Sequence, residues 1–395
     1  MSFDIAISGL NAINQQLGAI SNNIANSGTV GFKSGRAEFA SQYAEGQALG
    51  VGVTNLAQSI SKSGDIFSSS NSLDQAINGN GFFMLRDSSG TTSYTRAGYM
   101  QIDSSGYLVN NQGMYLQGYP VDANGVVQTG TIGNINISSG SIPAKATSTL
   151  DFTANLNANV ALPETTTFDP ADESSYNHTY ASQVYDSLGR EHTLKQYFVK
   201  TDDNQWTVHY YMDDTRLDAT QEMIFSEQGG LTVPNGSVSV TANIVGAEAI
   251  ELEINYNGTT QFGADLSVSK NNGNGYTSGE RTGQAIESDG SVYATFSNGK
   301  RMLQGQLVLA TFSNPNGLSS QNGTTWSQTS ASGEALMGTP GTGLLGALSS
   351  STLEGSNVDL TSELVSLMTA QRNYQANTKV ISTNDSMMTA LFQAV

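Results

Sequence analysis

The sequence predicts a mainly β fold with α-helical termini: N- and C-terminal helices paired in a coiled coil, followed outward by an inner β domain and an inserted outer β domain. Three observations predict it. Apolar residues recur at every seventh position at both ends, the pattern of a coiled-coil seam. Between the ends the period falls to two, as in half-buried strands. Gly (42 residues) is abundant, Pro (7) is scarce and only 13% of residues are charged, a mixture suited to many short strands joined by tight turns. A chain of 395 residues has room for two or three domains.

At the N-terminus, Phe3, Leu10, Leu17 and Ile24 form one column, and Ala6, Ile13 and Ile20 fill the second. Gly28, after Asn26-Ser27, reads as a helix stop. At the C-terminus, Leu360, Leu367, Tyr374, Ile381, Met388 and Val395 repeat every seven residues. The companion column predicted there is Leu364, Gln371, Thr378, Asp385 and Phe392, apolar only at its extremes, with Leu391 adding apolar surface near the end. Ser356 with Asp359 three residues on resembles a capping box, with Asp where Glu or Gln is usual. The two helices would be roughly 35 and 55 Å long. The expected assembly seam is therefore Leu10, Ile13, Leu17, Ile20, Ile24, Leu360, Leu364, Leu367, Tyr374, Ile381, Met388 and Leu391. Two readings stay open: a helical hairpin closed within one chain, or ends that order only when subunits stack, because long helices with a narrow apolar stripe are marginal alone.

Residues 33–70 are polar and Ser-rich with no clear period. They read as a connecting segment that becomes ordered in a polymer. Beyond it, Trp206, Val208, Tyr210 and Met212 alternate with polar or smaller partners, as do Val238, Val240, Ala242 and Ile244, and Ile250, Leu252, Ile254 and Tyr256. Each set is a half-buried strand. Asn-Gly pairs at Asn124, Asn235, Asn257, Asn298 and Asn316, with Asp289-Gly290, are candidate hairpin turns. The expected organisation is 1–32 with 357–395 as the helical domain, 71–147 with 281–356 as the inner β domain, and 148–280 as the inserted outer domain. Pro143, Pro163 and Pro170 mark the entrance of the insert, and the run Asn271 to Gly275 marks its exit.

Charge divides the chain the same way. Residues 148–280 hold 19 acids against five bases, leaving −14 of the chain's −18, while the first 32 residues carry only Asp4. The middle is built to face water and the ends to face protein. Such acidity makes nucleic acid a poor partner, since phosphate is met by cations. No run of 18 apolar residues offers membrane insertion. The opening MSFDIAISGLNAINQQ lacks the basic segment and long apolar run of a cleaved secretory signal.

Catalytic and metal patterns are not found. Without cysteine there is no thiol chemistry or disulfide. His178, His192 and His209 lack metal-ligand spacing, and His209, on the polar side of its strand, is expected to be solvated. Asp202-Asp203, Asp213-Asp214 and the group Asp169, Asp172 and Glu173 do not follow a calcium-loop pattern and read as solvated turns. Gly338, Gly341 and Gly343 are not followed by the Lys-Ser/Thr of a phosphate loop. No cofactor is expected, and the chain reads as a structural protein rather than an enzyme.

Several stretches carry a specific resemblance. SGLNAINQQLGAISNNIANSGTVGFKSGRAEF (Ser8 to Phe39), QAINGNGFFMLRD (Gln75 to Asp87), YTRAGYMQIDSSGYLVNNQGMYLQGYP (Tyr94 to Pro120) and LEGSNVDLTSELVSLMTAQRNYQANTKVIST (Leu353 to Thr383) are similar to the bacterial flagellar rod and hook proteins. VYDSLGREHTLKQYFVK (Val184 to Lys200) and the segment Gly305 to Gly343 resemble the inserted and returning β domains of the family's hook members. The resemblance implies a self-assembling, bendable tube between motor rod and filament. It implies rod, hook-cap and hook–filament junction proteins as neighbours, and export through the flagellar type III apparatus. It also singles out Asn26, Gly31, Phe32 and Lys33 as the family motif at the helix exit. A distal rod protein is the rival within the family, and a secreted β-rich adhesin or carbohydrate-active enzyme the rival outside it.

Overall fold

The structure is a computed structural model that describes residues 2–44, 47–122, 125–138 and 140–394. The chain forms two compact units. One comprises Met1–Ser139, Gly283–Thr295 and Arg301–Val395, and the other Gly140–Thr282 with Phe296–Lys300. The mainly β fold with paired helical ends is as the sequence predicts.

The second unit is a sandwich of two five-stranded sheets. One is an antiparallel run of His178–Tyr185, Glu191–Asp202, Gln205–Met212, Thr215–Phe225 and Leu231–Val233. In the other, Thr149–Asn157 pairs parallel to Ile250–Asn255 and Thr260–Phe262, and antiparallel to Ser267–Gly273. The predicted alternation lands on the core: Trp206, Val208 and Tyr210 from one sheet and Leu252, Ile254 and Tyr256 from the other are buried in one cluster. Polar groups inside that cluster pair with one another. Tyr210 Oη lies 2.9 Å from Tyr256 Oη, which donates to Gln196 Oε1 at 2.5 Å, and Trp206 Nε1 donates to Gln261 Oε1 at 2.8 Å. Buried polar groups satisfied in this way fix one packing rather than many. The run Asn271 to Gly275 does not simply leave this unit, because Asn271, Asn272 and Gly273 pair with Phe152, Asp151 and Leu150.

One expectation for this unit's polar residues is corrected. His209 is half-buried rather than solvated: its ring stacks on Phe168 with centroids 4.1 Å apart and planes 4° from parallel. Phe168 comes from the irregular stretch following Asn157, which the strand period could not place. His192 is wedged between two carboxylates, its Nε2 3.3 Å from Asp186 Oδ2 and its Nδ1 2.5 Å from Asp213 Oδ2. Burial lowers the pKa of His192, but hydrogen bonds to Asp213 and Asp186 and their negative charge outweigh it, so the net shift is upward. Burial raises Asp186, yet bonds from Arg190 and His192 bring it to about 2. The sign for stability follows. A group whose folded pKa is raised stabilises fully below its unfolded value, near 6.5, and loses that contribution as pH rises through the folded value. Thermal unfolding of the full chain, followed by Trp206 fluorescence in a Trp326→Phe background, should show His192→Gln lowering the midpoint at pH 5.5 more than at pH 9. Equal losses at both pH values would refute the charge role.

The turns are mostly of one kind. At Asp289-Gly290 only the glycine has positive φ (82°), and Glu287 N donates to Ser291 O at 2.9 Å. This is a three-residue loop ending in a left-handed glycine, and it joins the neighbouring strands Arg281–Ile286 and Ser291–Phe296 as a hairpin. The two-residue turn with both central residues at positive φ belongs to Asp213 (47°) and Asp214 (66°). Asn124 lies outside the described residues.

The first unit carries the helices, α1 (Ser2–Ala25) and α2 (Leu360–Ala394), and a hairpin of β1 (Gly35–Ala44) and β2 (Gln47–Gln58). The hairpin occupies the segment where no period was legible. Register shifts between Glu38 and Phe39 and between Gln42 and Tyr43 each flip the alternation, which erases a period of two. The sheet of this unit runs Arg301–Leu307, Tyr115–Pro120, Phe82–Arg86, Thr92–Thr95, Thr325–Ser327 and Ser319–Gln321 in spatial order, so strands from before and after the insert interleave. Its core joins Phe82, Tyr94, Phe312 and Trp326 through edge-to-face contacts. Trp326 Nε1 donates to Gln58 Oε1 at 2.9 Å, tying the root of the hairpin to that core.

Candidate assembly site: the terminal helices and their junction

The seam begins with the helices' own chemistry. α1 is stopped at Ala25 by side chains: Asn26 Nδ2 donates to Asn22 O at 3.0 Å, and Ser27 Oγ to Ile24 O at 2.9 Å. Gly28 has open space where a Cβ would stand and does not take the left-handed conformation; Gly31 does, at φ 71°. α2 starts one turn later than the capping-box reading implies. Asp359 itself is the N-cap, its Oδ1 accepting from Thr361 N at 2.9 Å and Ser362 N at 3.1 Å, which satisfies donors that a helix start leaves free.

The helices meet along Ile13, Ile20 and Ala370, with Leu17, Ile24 and Leu367 packed around them. Leu10 and Ile381 are half-buried. The first C-terminal column is thus partly on the seam, but its companion is not the predicted one. Glu363 accepts from Asn23 Nδ2 at 2.9 Å, Ala370 is fully buried, and Asn377 lies 3.2 Å from where a Cβ on Gly9 would stand. The second column therefore steps three residues on from Leu360, Leu367 and Tyr374, through Glu363, Ala370 and Asn377, rather than four through Leu364, Gln371 and Thr378. Small and polar side chains there let the two backbones approach closely, a signal that a search for apolar repeats passes over. Leu364 accordingly stays 46% exposed, with Leu360 at 46%, Tyr374 at 38% and Met388 at 49%. The side chain of Leu391 lies outside what the structure describes, as does Val395.

A second face of α2 is also apolar and uncovered: Val365 is 60% and Met368 63% exposed. They lie beside Leu364 on the side opposite Ala370 by helical spacing. Exposed apolar clusters of this kind mark contact surfaces. No helix among the described residues is long and apolar enough to cross a membrane.

The motif at the helix exit forms the junction with the β domain. Asn23 holds Gly35 from both sides, donating to its carbonyl at 2.7 Å and accepting from its N–H at 2.8 Å. Ser8 Oγ accepts from Val51 N at 3.2 Å, so α1 is bonded to both hairpin strands. Gly31 N donates to Glu354 O at 2.8 Å. Asn26 Oδ1 accepts from Thr29 Oγ1 at 3.1 Å, and Phe32 O accepts from Asn357 N at 3.3 Å.

Lys33 turns inward. Its side chain is 0% exposed and its Nζ sits 2.6 Å from Glu354 Oε1, also fully enclosed. Arg96 Nη1 reaches Glu354 Oε2 at 3.1 Å, with its guanidinium 5.3 Å from the centre of the Phe82 ring. Burial pulls the pKa of Lys33 down, against the upward pull of Glu354. Glu354 and Arg96 were not singled out in the sequence; once the fold buries Lys33, a carboxylate must answer it. Among the described residues no group of three His, Asp or Glu side chains is placed to hold a metal ion.

Known proteins match this architecture along its whole length. The family model described as Flagella basal body rod protein matches residues 3–33, and that of the Flagellar basal body rod FlgEFG protein C-terminal matches residues 349–394. The Flagellar hook protein FlgE/F/G D1 domain matches 76–155, and the Flagellar basal body protein FlaE D2 domain matches 155–276. The chain is 40% identical over 402 residues to the flagellar hook protein FlgE of Salmonella typhimurium, covering 99% of each chain. It is 32% identical to that of Brucella suis, covering 98% of this chain and 96% of the relative. The crystal structure of Helicobacter pylori flagellar hook protein FlgE2 shares the fold, with a TM-score of 0.55 and 12% identity over 71% of this chain and 98% of the other. With helices at both ends, the β units between them and relatives alike from end to end, the chain belongs to the flagellar hook protein FlgE family.

Proposed function

We propose that this hook structural subunit polymerises through its terminal helices. The supporting observation is the apolar stripe of α2 left uncovered after α1 is packed, with Leu364, Val365 and Met368 at 46%, 60% and 63% exposure. Leu10, Ile13, Leu17, Ile20, Ile24, Leu367 and Ile381 close the seam within one chain. Leu360, Leu364, Tyr374 and Met388 meet neighbouring subunits. Repetition of one such heterologous contact builds a helical filament rather than a closed ring.

The polymer is a curved tube that couples the motor rod to the filament and carries exported subunits through its channel. The acidic unit, whose surface is polar, lies on the outside and slides against its copies as the tube bends. Rod, hook-cap and hook–filament junction proteins adjoin it, and the chain reaches its place outside the cell through the flagellar type III apparatus without a cleaved signal. Its work is assembly rather than catalysis.

Negative-stain microscopy of the purified full chain tests this. Wild type should form curved tubes, whereas Leu364→Asp with Met368→Asp should leave the monomer's far-ultraviolet spectrum unchanged and raise the concentration needed for polymer by tenfold or more, on the order of 1.4 kcal/mol per subunit added. Normal tubes from the double variant would remove the α2 stripe from the contact. Straight rods from wild type would favour the shaft-forming members of the family.

A further inference from the structure

The junction holds two buried cations and one carboxylate, and the three come from separate parts of the chain. Lys33 follows α1, Arg96 belongs to the β domain, and Glu354 precedes α2. Glu354 Oε1 accepts from Lys33 Nζ at 2.6 Å and from Gly64 N at 3.0 Å, and Oε2 from Arg96 Nη1 at 3.1 Å. The positive charge left over is met by carbonyls: Lys33 Nζ also donates to Lys62 O at 2.8 Å, and Arg96 Nη2 to Gly79 O at 2.8 Å. Around the cluster the two terminal segments are bonded to each other and to the hairpin root. Gly31 N donates to Glu354 O, Gly355 N to Asp65 O at 2.8 Å, and Ser34 N to Asn357 Oδ1 at 2.7 Å. Asn357 Nδ2 donates to Ser59 O and Lys62 O, both at 2.9 Å.

We infer that Glu354 is a co-docking lock: the segments leading from α1 and into α2 can seat on the β domain only together. The reason is electrostatic. If residues 31–35 dock without the C-terminal segment, Lys33 joins Arg96 in a closed site with no carboxylate, two like charges out of water. If the C-terminal segment docks alone, Glu354 and Arg96 pair, but Gly31 and Lys33 are absent and the carbonyl of Glu354 loses its donor. Only the complete set pairs the carboxylate with both cations. The lock therefore makes the departure points of both helices conditional on the whole chain being present. This inference goes beyond the assembly reading and does not depend on it.

The arithmetic of charge gives an unequal set of variants. Lys33→Met or Arg96→Met leaves one cation facing one carboxylate, whereas Glu354→Gln leaves two cations facing an amide. Amide hydrogen exchange on the full-length monomer reads both ends at once. Glu354→Gln should lower protection at Gly31, Ser34, Gly64, Gly355 and Asn357 together, by about 100-fold or more, while Val208 and Ile254 in the other unit keep theirs. Lys33→Met and Arg96→Met should each fall within about tenfold of wild type at the same amides. Adding Lys33→Met to Glu354→Gln should recover protection, because it removes one unpaired cation. A loss confined to Gly355 and Asn357, a Lys33→Met loss as large as that of Glu354→Gln, or no recovery in the double variant would each overturn the lock. The two single cation variants keep the test decisive should Glu354→Gln not fold.

Discussion

Ile20→Asp should separate α1 from α2 and abolish polymer formation while leaving the acidic unit folded. Ile20 is buried at the centre of the helix contact, 5% exposed, among Ile13, Leu17, Ile24, Leu367 and Ala370. Losing that side chain removes roughly 1.5–3 kcal/mol of apolar burial. The carboxylate put in its place meets a cluster with no cation to pair with it, and an unpaired buried charge costs more than the lost packing. α1 keeps its bonds to the hairpin through Asn23 and Ser8, but α2 has little beside this seam to hold it, and a long helix with one narrow apolar stripe is marginal alone. Far-ultraviolet circular dichroism should show lost helix, sedimentation should show only monomer, and Trp206 fluorescence should not change. Ser21→Asp, one residue along on the exposed side of α1, is the control and should match wild type. If Ile20→Asp kept its helical signal, or Ser21→Asp lost it, the seam would be misplaced.

Gly31→Ala should damage the junction and Gly28→Ala should not, although the sequence reading put the helix stop at Gly28. At Gly31 the backbone is left-handed, φ 71°, which costs a residue bearing a Cβ roughly 1–2 kcal/mol. The added carbon would also stand 2.5 Å from Ala97 N and 2.9 Å from Arg96 C. Those are backbone atoms, so no rotamer change relieves the overlap, and what must yield is the bend at Arg96 and Ala97 that follows the strand Thr92–Thr95. At Gly28 a Cβ meets nothing within 4 Å, and restricting the unfolded chain should leave stability unchanged or raise it by about 0.4–1 kcal/mol. Thermal unfolding of the first unit, followed by Trp326 fluorescence in a Trp206→Phe background, separates the two. Equal midpoints for both variants would mean that the 31–33 bend does not hold the helix to the β domain.

Both predictions touch places where sequence and structure divide. The period of seven was legible because Ile13, Leu17, Ile20, Ile24 and Leu367 are apolar and repeat. The partner column through Glu363, Ala370 and Asn377 was not legible, since close approach there depends on small side chains and on a hydrogen bond to Asn23, neither of which raises hydrophobicity. In the same way, Trp206, Val208 and Tyr210 declared their strand, while Phe168 gave no sign that it would cover His209. The motif Gly31-Phe32-Lys33 was visible as letters, but not its meaning: Lys33 could have been a solvated charge.

What the sequence by itself determined, then, was the local pattern: two helical ends with seams, alternating strands between them, an acidic middle, and membership of a family through motifs spread along the chain. These depend on neighbours within about seven residues. Tertiary structure alone decided which face of α2 meets α1, that residues 35–58 form a bulged hairpin, and that Lys33, Arg96 and Glu354 share one buried site. Those partners stand up to 321 residues apart. A charge can be left out of water only where the fold brings its counter-charge to it, and no local spacing records that meeting.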